Sequence, residues 1–144
     1  MTSEQKRAIR DLVEDCRANA YAKGFNVEGV DINIPEKLVL IHSEVSEALE
    51  DYRRSDQLRE ETGCELYELC YFNGDDVTSD SSYVDDETGE TVLNKPCGFP
   101  SELADIVIRV FELAGSTDVD LTEAIARKME YNATRPYKHG GKKC

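Results

Sequence analysis

The stretch FPSELADIVIRVFELAG, residues 99–115, decides the fold class that the sequence predicts. Its apolar residues recur at helical spacing and cover nearly every side of the helix, which is typical of a helix with neighbours all round. We expect this helix to begin around Pro100 and to end before Gly115. Asp105 lies in its middle, where an unpaired buried carboxylate would be costly. The sequence therefore predicts a central helix in which Asp105 has a partner.

Three further segments carry helical patterns and complete the prediction of an all-α four-helix bundle. Residues 3–22 present one apolar stripe. Residues 33–54 begin with an asparagine that can cap a helix and a proline that suits its first turn. Residues 120–134 begin with an aspartate cap and a glutamate three residues later. With 144 residues, the chain is expected to be a single domain, residues 1–144.

An acidic excursion separates the second helix from the third. Residues 56–98 contain twelve Asp and Glu against two basic residues, and residues 57–98 are predicted to be a loop insertion. Residues 83–84 and Thr91–Leu93 flank a turn sequence and predict a small β-hairpin. We also expect a short helix at residues 64–72.

The charge balance limits the partners that this chain can bind. The net charge is −13, from 30 acidic and 17 basic residues, and this charge repels nucleic-acid backbones and anionic membranes. No apolar run approaches the roughly 20 residues of a membrane span. The first residues do not combine a positive start with an apolar run. We therefore expect a soluble, cytoplasmic protein that binds neither a nucleic-acid polymer nor a membrane.

The five cysteines are an odd and scattered set: Cys16, Cys64, Cys70, Cys97 and Cys144. Such a set makes a disulfide framework improbable, and reduced thiols are expected. Zinc binding by Cys64, Cys70 and Cys97 stays open as an alternative. No pair at CxxC spacing and no histidine at zinc-knuckle spacing accompanies them.

Two acidic pairs carry the chemistry that the sequence predicts. Glu44 and Glu47 are three residues apart on the second helix, and Glu102 and Asp105 repeat that spacing on the third. Residues at this spacing are neighbours on a helix surface, so each pair can aim at one point. If the two helices pack side by side, four carboxylates converge and need cations to neutralise them. An all-oxygen ligand set favours Mg²⁺ or Mn²⁺ and, with it, a phosphate ester or anhydride as substrate.

Structural explanations of the same residues remain open. Glu44 and Glu47 could simply be solvated, and Glu102 in a first turn complements the helix dipole. Asp105 could pair with Arg109 four residues on.

Basic and amide side chains line one face at the end of the fourth helix, namely Lys128, Asn132 and Arg135. They could bind phosphate oxygens, or they could only complement the helix C-terminus. The basic tail Lys138, His139, Lys142 and Lys143 continues this series.

Three segments taken together closely resemble the MazG-like all-α nucleoside triphosphate pyrophosphohydrolases: IHSEVSEALE (41–50), FPSELADIVIR (99–109) and KMEYNATRPYKHG (128–140). That family carries Glu-x-x-Glu on one helix and Glu-x-x-Asp on another. The resemblance covers residues 33–54 and 99–140 well. This chain departs from the family in two places. The interval of 54 residues between Glu47 and Glu102 is longer than usual. The family often has an aromatic residue that helps stack the base in the loop after the first helix, where this chain offers only Phe25.

The resemblance implies Mg²⁺-dependent hydrolysis of a nucleoside triphosphate to the monophosphate and pyrophosphate by a homodimer or a dimer of dimers. It implies four metal ligands: Glu44, Glu47, Glu102 and Asp105. Of these, Glu47 and Asp105 are the expected catalytic residues, with Glu47 orienting or deprotonating the attacking water. The expected phosphate-binding residues are Lys128, Asn132, Arg109 and Arg135.

Two other functions remain alternatives. A non-catalytic acidic module would use its charge to dock a basic partner. Another metal-dependent phosphohydrolase, such as a phosphodiesterase, would use the same ligand set on a different substrate.

Overall fold

A computed structural model describes residues 1–137 of this chain, which form four helices and five strands. The helices are α1 (Ser3–Ala22), α2 (Ile34–Thr62), α3 (Phe99–Ser116) and α4 (Leu121–Ala133). The strands are β1 (Cys70–Asn73), β2 (Asp76–Thr78), β3 (Ser82–Val84), β4 (Thr91–Leu93) and β5 (Lys95–Cys97). The prediction of an all-α four-helix bundle is therefore wrong. The chain is mixed α/β because much of the segment expected to be loop pairs into small sheets.

The chain divides into two compact units. The first contains Met1–Ile32 and Phe111–Cys144, and the second contains Asn33–Val110. Helix α3 contributes residues to both units. All five strands and all four predicted metal ligands belong to the second unit. The single domain predicted from the chain length stays a prediction, because two compact units can belong to one domain.

The strands of the second unit form two antiparallel sheets. The larger has the order β2-β1-β5, with Tyr71 opposite Thr78 and Cys70 opposite Cys97. The smaller is the hairpin of β3 and β4, which is present where the turn sequence predicts it. The short helix expected at residues 64–72 is wrong, because β1 begins within that range and pairs on both sides. Such pairing overrides local helix propensity.

Helix α2 begins as predicted and ends later than predicted. The Asn33 side chain accepts a hydrogen bond from the Glu36 backbone N–H at 3.3 Å, as a helix cap does. The helix continues eight residues beyond Arg54 and ends at Gly63, whose φ of 75° is left-handed. The first part of the predicted insertion is therefore helical and lengthens one face of α2.

Helix α3 is less covered than its composition predicts. Leu103, Val107 and Ile108 are 44–47% exposed, so the expectation that neighbours surround this helix is wrong for this chain alone. Large apolar side chains on α2, such as Leu38 and Val45, are exposed to a similar extent. The predicted homo-oligomer, which would cover such surface, stays a prediction. Within residues 1–137, every helix is too short or too polar to cross a membrane.

The first unit contains a buried polar cluster that joins the loop after α1 to the end of α3. The Asn26 amide donates hydrogen bonds to Glu112 and to the Ser116 hydroxyl, the latter at 2.9 Å. Asn26 and Glu112 are both more than 90% buried. Buried polar groups are tolerated when they are hydrogen-bonded, so this cluster fixes the position of the loop. An ion pair between Lys6 and Glu123 at 2.9 Å joins α1 to α4.

Gly115 allows α1 and α3 to approach closely within the first unit. A Cβ atom at this position would lie 3.0 Å from Cβ of Arg17 and 3.1 Å from Cγ1 of Val13. Both distances are shorter than an ordinary carbon–carbon contact of about 3.5–4.0 Å. A larger residue must therefore push the two helices apart.

Replacing Gly115 tests the close approach of α1 and α3. We expect Gly115→Val to lower the free energy of unfolding by about 1–3 kcal/mol, as overpacking does, with urea denaturation followed by helical circular dichroism as the measurement. Ala104→Val, at an exposed site on the same helix, is the control for the effect of a β-branched residue. Equal stabilities for the two variants would contradict the close approach.

Candidate metal centre

Carboxylates from α2 and α3 meet in the second unit. Glu44, in the middle of α2, and Glu102 and Asp105, near the start of α3, each offer an oxygen, and these three oxygens lie within 4.8 Å of one another. Glu44 is only 6% exposed, whereas Glu102 and Asp105 are half-buried. The structure thus brings together three of the four ligands that the sequence predicts. An ion in this position would be bound by residues distant in sequence.

The start of α3 is set by a glycine. Gly98 follows β5 directly and has a φ of 84°, which L side chains rarely adopt. Its carbonyl accepts hydrogen bonds from the backbone N–H groups of Ser101 at 2.9 Å and Glu102 at 3.2 Å. Gly98 therefore turns the chain from the sheet into the helix and places Glu102 in the first turn. Asp105 follows on the same face because it is three residues further along.

Glu47 is near the three carboxylates without belonging to their group. Its side chain is exposed and accepts a hydrogen bond from the Ser43 hydroxyl at 3.1 Å. Its negative charge nevertheless raises the pKa of both Glu102 and Asp105. The fourth predicted ligand is therefore within electrostatic reach of the site.

Arg109 pairs across the two helices. Its Nε donates to Oε1 of Glu44 at 2.6 Å, and the Glu44 side chain is 8% exposed. This contact differs from the alternative in which Arg109 pairs with Asp105 on its own helix. Among residues 1–137, no salt bridge involves Glu102 or Asp105. One carboxylate of the group, Glu44, therefore forms a salt bridge, and the other two do not.

Burial and the repulsion between like charges raise the pKa of the two carboxyls that form no salt bridge, Glu102 and Asp105. Burial and, after it, the charges of Glu47, Asp105, Asp51 and Glu44 together raise the pKa of Glu102 to about 7. Burial also raises the pKa of Asp105, followed by the charge of Glu44, while Arg109 and Lys95 partly oppose the rise. Such a group of like charges favours whatever neutralises it, either protons or a divalent cation.

The structure adds two residues that the sequence analysis missed. Asp51, one turn after Glu47 on α2, has a pKa raised by burial, and its charge raises the pKa of Glu102. The i,i+4 spacing from Glu47 could have indicated it. Lys95, an exposed residue of β5, lowers the pKa of Asp105 by its positive charge. Nothing in the sequence indicates Lys95, because its position depends on the pairing of β5 with β1.

The residues predicted to bind phosphate divide between the two units. Arg109 lies in the second unit at the carboxylates, as described. Lys128 and Asn132 are exposed on α4 in the first unit, with Arg135 just beyond that helix. The Lys128 ammonium lies 5.8 Å from the Tyr131 ring centroid. The phosphate-binding role of all four stays a prediction, and the tail residues Lys138, His139, Lys142 and Lys143 lie outside the described residues.

The cysteines of the insertion depart from expectation. Cys64 and Cys70 form a disulfide, with Cα atoms 6.5 Å apart, so the expectation of reduced thiols is wrong for this pair. The two meet because the chain turns between them, with a hydrogen bond from the Glu68 N–H to the Glu65 carbonyl at 3.0 Å. Cys97 is a buried free thiol opposite Cys70 in the sheet. The zinc alternative therefore lacks the three free thiols that it requires.

No protein-family model, curated protein or solved structure matches this chain. The likeness of its acidic motifs to the MazG-like enzymes therefore stays a prediction from sequence. The functional proposal depends on the geometry of the carboxylates.

The raised pKa of Glu102 predicts how stability varies with pH in metal-free buffer. Between its ordinary pKa of 4.5 and about 7, the folded chain binds more protons at this residue than the unfolded chain does. The free energy of unfolding should therefore fall as the pH rises through this window. Glu102→Gln should remove this contribution, so the variant should be more stable than the original chain above pH 7.

Urea denaturation at a series of pH values measures the effect. Glu60→Gln, which removes an exposed carboxylate from the same unit, is the matched control and should follow the original chain. An identical pH dependence in the original chain and in Glu102→Gln would show that Glu102 titrates as an ordinary carboxyl.

Proposed function

We propose that this chain is a Mg²⁺-dependent hydrolase that cleaves a nucleoside triphosphate to the monophosphate and pyrophosphate. The observation that carries this proposal is the convergence of Glu44, Glu102 and Asp105 from two helices, with their oxygens within 4.8 Å of one another. Two of these carboxylates, Glu102 and Asp105, form no salt bridge among residues 1–137. Folding has thus collected negative charge that a divalent cation would neutralise.

The donor set fits a hard divalent cation. All three groups offer carboxylate oxygens, which suit Mg²⁺ or Mn²⁺ better than zinc or iron. Glu44, Glu102 and Asp105 would hold the ion. When bound, such an ion lowers the pKa of a coordinated water and offsets phosphate charge.

The substrate class follows from the charges around the group. Mg²⁺ bound by a few carboxylates usually keeps positions for water and phosphate oxygens, which favours phosphate anhydrides. Lys95 supplies a cation near Asp105 for the remaining phosphate charge, and Arg109, which pairs with Glu44, adds a second positive charge close to the group. The order of the acidic pairs in the sequence resembles that of the MazG-like enzymes. This resemblance favours release of pyrophosphate.

Glu47 is the residue that we propose to accept the proton of the attacking water. It is exposed, lies within electrostatic reach of Glu102 and is not part of the three-carboxylate group. A carboxylate that is not committed to the metal is free to act as a base. Asp105 is proposed to hold the metal, because its oxygen is one of the three that lie within 4.8 Å of one another.

A structural role is the second candidate, and the Arg109–Glu44 ion pair favours it. In this alternative the pair only joins α2 to α3, and the acidic surface serves to bind a basic partner. The chain would then hydrolyse no nucleotide. Activity measurements separate the two candidates.

The decisive assay measures the products of each ribonucleoside and deoxyribonucleoside triphosphate incubated with the chain and Mg²⁺. We expect pyrophosphate to be released. Glu47→Gln should lower kcat by about 100-fold or more, as loss of a general base does. Asp105→Asn should reduce turnover to background because a metal ligand is lost, and Glu60→Gln should keep full activity. Helical circular dichroism shows whether each variant is folded.

Other outcomes of that assay have definite meanings. Release of orthophosphate without pyrophosphate would indicate a different metal phosphohydrolase. Full activity of Asp105→Asn would contradict the metal centre. Absence of turnover with every triphosphate would leave the structural role as the better account of the carboxylates.

Lys95 provides a separate test of the phosphate end of the site. Lys95→Gln should raise KM for the triphosphate by about 10-fold, the value of one charge-assisted contact, with a smaller effect on kcat. Arg53→Gln removes one positive charge from an exposed position of α2 and is the control for net charge. Equal KM values for the two variants would exclude a specific contact between Lys95 and the substrate.

A further inference from the structure

A cavity of about 260 Å³ lies within the second unit, and its lining includes Gly98 and Phe99, which shortly precede Glu102 in the chain. One wall is the later half of α2, including Asp51, Ser55 and Leu58. The opposite wall includes Phe72 of β1 and Phe99 at the start of α3. The Cys64–Cys70 disulfide also lines it and ties the turn between them to β1. The segment predicted to be an insertion thus builds much of this cavity.

The cavity and the carboxylates share one face of α2. Residues 44, 48, 51, 55, 58 and 62 recur at alternating steps of four and three, which is the period of a single helical stripe. Glu44 begins this stripe, and Asp51, Ser55, Leu58 and Thr62 line the cavity. The rise from residue 44 to residue 51 is roughly 10 Å at 1.5 Å per residue. On α3, Phe99 is three residues before Glu102. A ligand held at the carboxylates can therefore extend into the cavity.

The walls suit a flat, largely apolar ring. Phe72, Phe99 and Leu58 offer the apolar surface, and aromatic side chains pack well against planar rings. The charged side chains at the cavity are three acidic ones, Asp51, Glu65 and Glu68, and one basic one, Arg54, whose positive charge acts on Asp51. Acceptors therefore outnumber the one charged donor group. An ionised carboxylate only accepts hydrogen bonds, so these residues favour a ring that carries N–H donors.

Nucleobases differ in this property. Cytosine, adenine and guanine carry an exocyclic amino group that can donate to a carboxylate. Uracil and thymine present two carbonyl oxygens on either side of one N–H, and these oxygens would face the lone pairs of the carboxylates. Two acceptors that face each other without a donor are disfavoured, and here most of all at Asp51, which is half-buried.

We propose that this cavity binds the base of the nucleotide and selects bases that carry an exocyclic amino group. The inference rests on the proposed function, since the carboxylates bind the phosphate end of the same molecule. The sugar lies between the two ends. The segment after Arg54 therefore determines which nucleotide is bound.

A bulky side chain on the cavity wall tests this proposal. Ser55 is half-buried and lines the cavity, so Ser55→Trp should fill the space of the base. Gln57 is exposed on the same helix and does not line the cavity, so Gln57→Trp is the matched control. We expect Ser55→Trp to raise KM for the preferred triphosphate at least about 10-fold, the loss of one well-packed contact. Inhibition by Mg²⁺-tripolyphosphate, which has no base, should be unchanged in both variants.

A milder variant covers the case in which Ser55→Trp does not fold. Glu68→Gln replaces one acceptor oxygen by an amide donor and keeps the size of the side chain. It should lower kcat/KM for cytidine, adenosine and guanosine triphosphates relative to uridine triphosphate. An unchanged ratio, with both tryptophan variants equal in KM, would overturn the base site and leave the proposed hydrolysis intact.

The binding of monophosphates distinguishes failure of this inference from failure of the proposed function. If no triphosphate releases pyrophosphate, the proposed function fails, and calorimetry with the four ribonucleoside monophosphates still decides the cavity. Tighter binding of the amino-bearing bases than of uridine monophosphate, lost in Ser55→Trp and kept in Gln57→Trp, would support the base site. Equal or absent binding of all four would overturn it.

Discussion

The ion pair between Arg109 and Glu44 is the contact on which the second unit depends. It joins residues 65 positions apart in sequence at an N–O distance of 2.6 Å, with Glu44 almost fully buried. A buried carboxylate without its partner would be strongly destabilising, so this bond fixes α3 against the middle of α2. The same contact brings Glu102 and Asp105 to Glu44. Together with the turn at Gly98, this ion pair holds the three carboxylates in one place.

That arrangement leaves more negative charge than the ion pair needs. Arg109 compensates Glu44, while Glu102 and Asp105 repel each other and Glu44 without a salt bridge of their own among residues 1–137. A purely structural cluster would gain stability by losing one of these carboxylates. The repulsion between these carboxylates destabilises the ionised form of Glu102. The pKa of Glu102 is therefore raised, because protonation removes part of the repulsion. This excess of negative charge at one place is the reason why we propose that a cation binds there.

The sequence predicts local structure well here and long-range structure poorly. The caps at Asn33 and Asp120 depend on hydrogen bonds three residues away, and both are present. The i,i+3 spacing of Glu102 and Asp105 correctly places them on one face. The all-α class is wrong because β1 is stabilised by partners such as Cys97, far along the chain, which periodicity cannot reveal. The i,i+4 spacing suggested Asp105 as the partner of Arg109, because such spacing describes neighbours on the same helix and not those on another helix.

The continuation of α2 beyond Arg54 matters most for the proposed base site. Had the helix ended there, the stripe that begins at Glu44 would stop at Asp51, and Ser55, Leu58 and Thr62 would not continue it along the cavity. Because the helix continues to Thr62, the stripe changes along its length from acidic to mainly apolar. A nucleotide has the matching polarity, with phosphates at one end and an aromatic base at the other. If both proposals hold, the insertion adds selectivity to a metal centre whose proposed ligands all lie outside it.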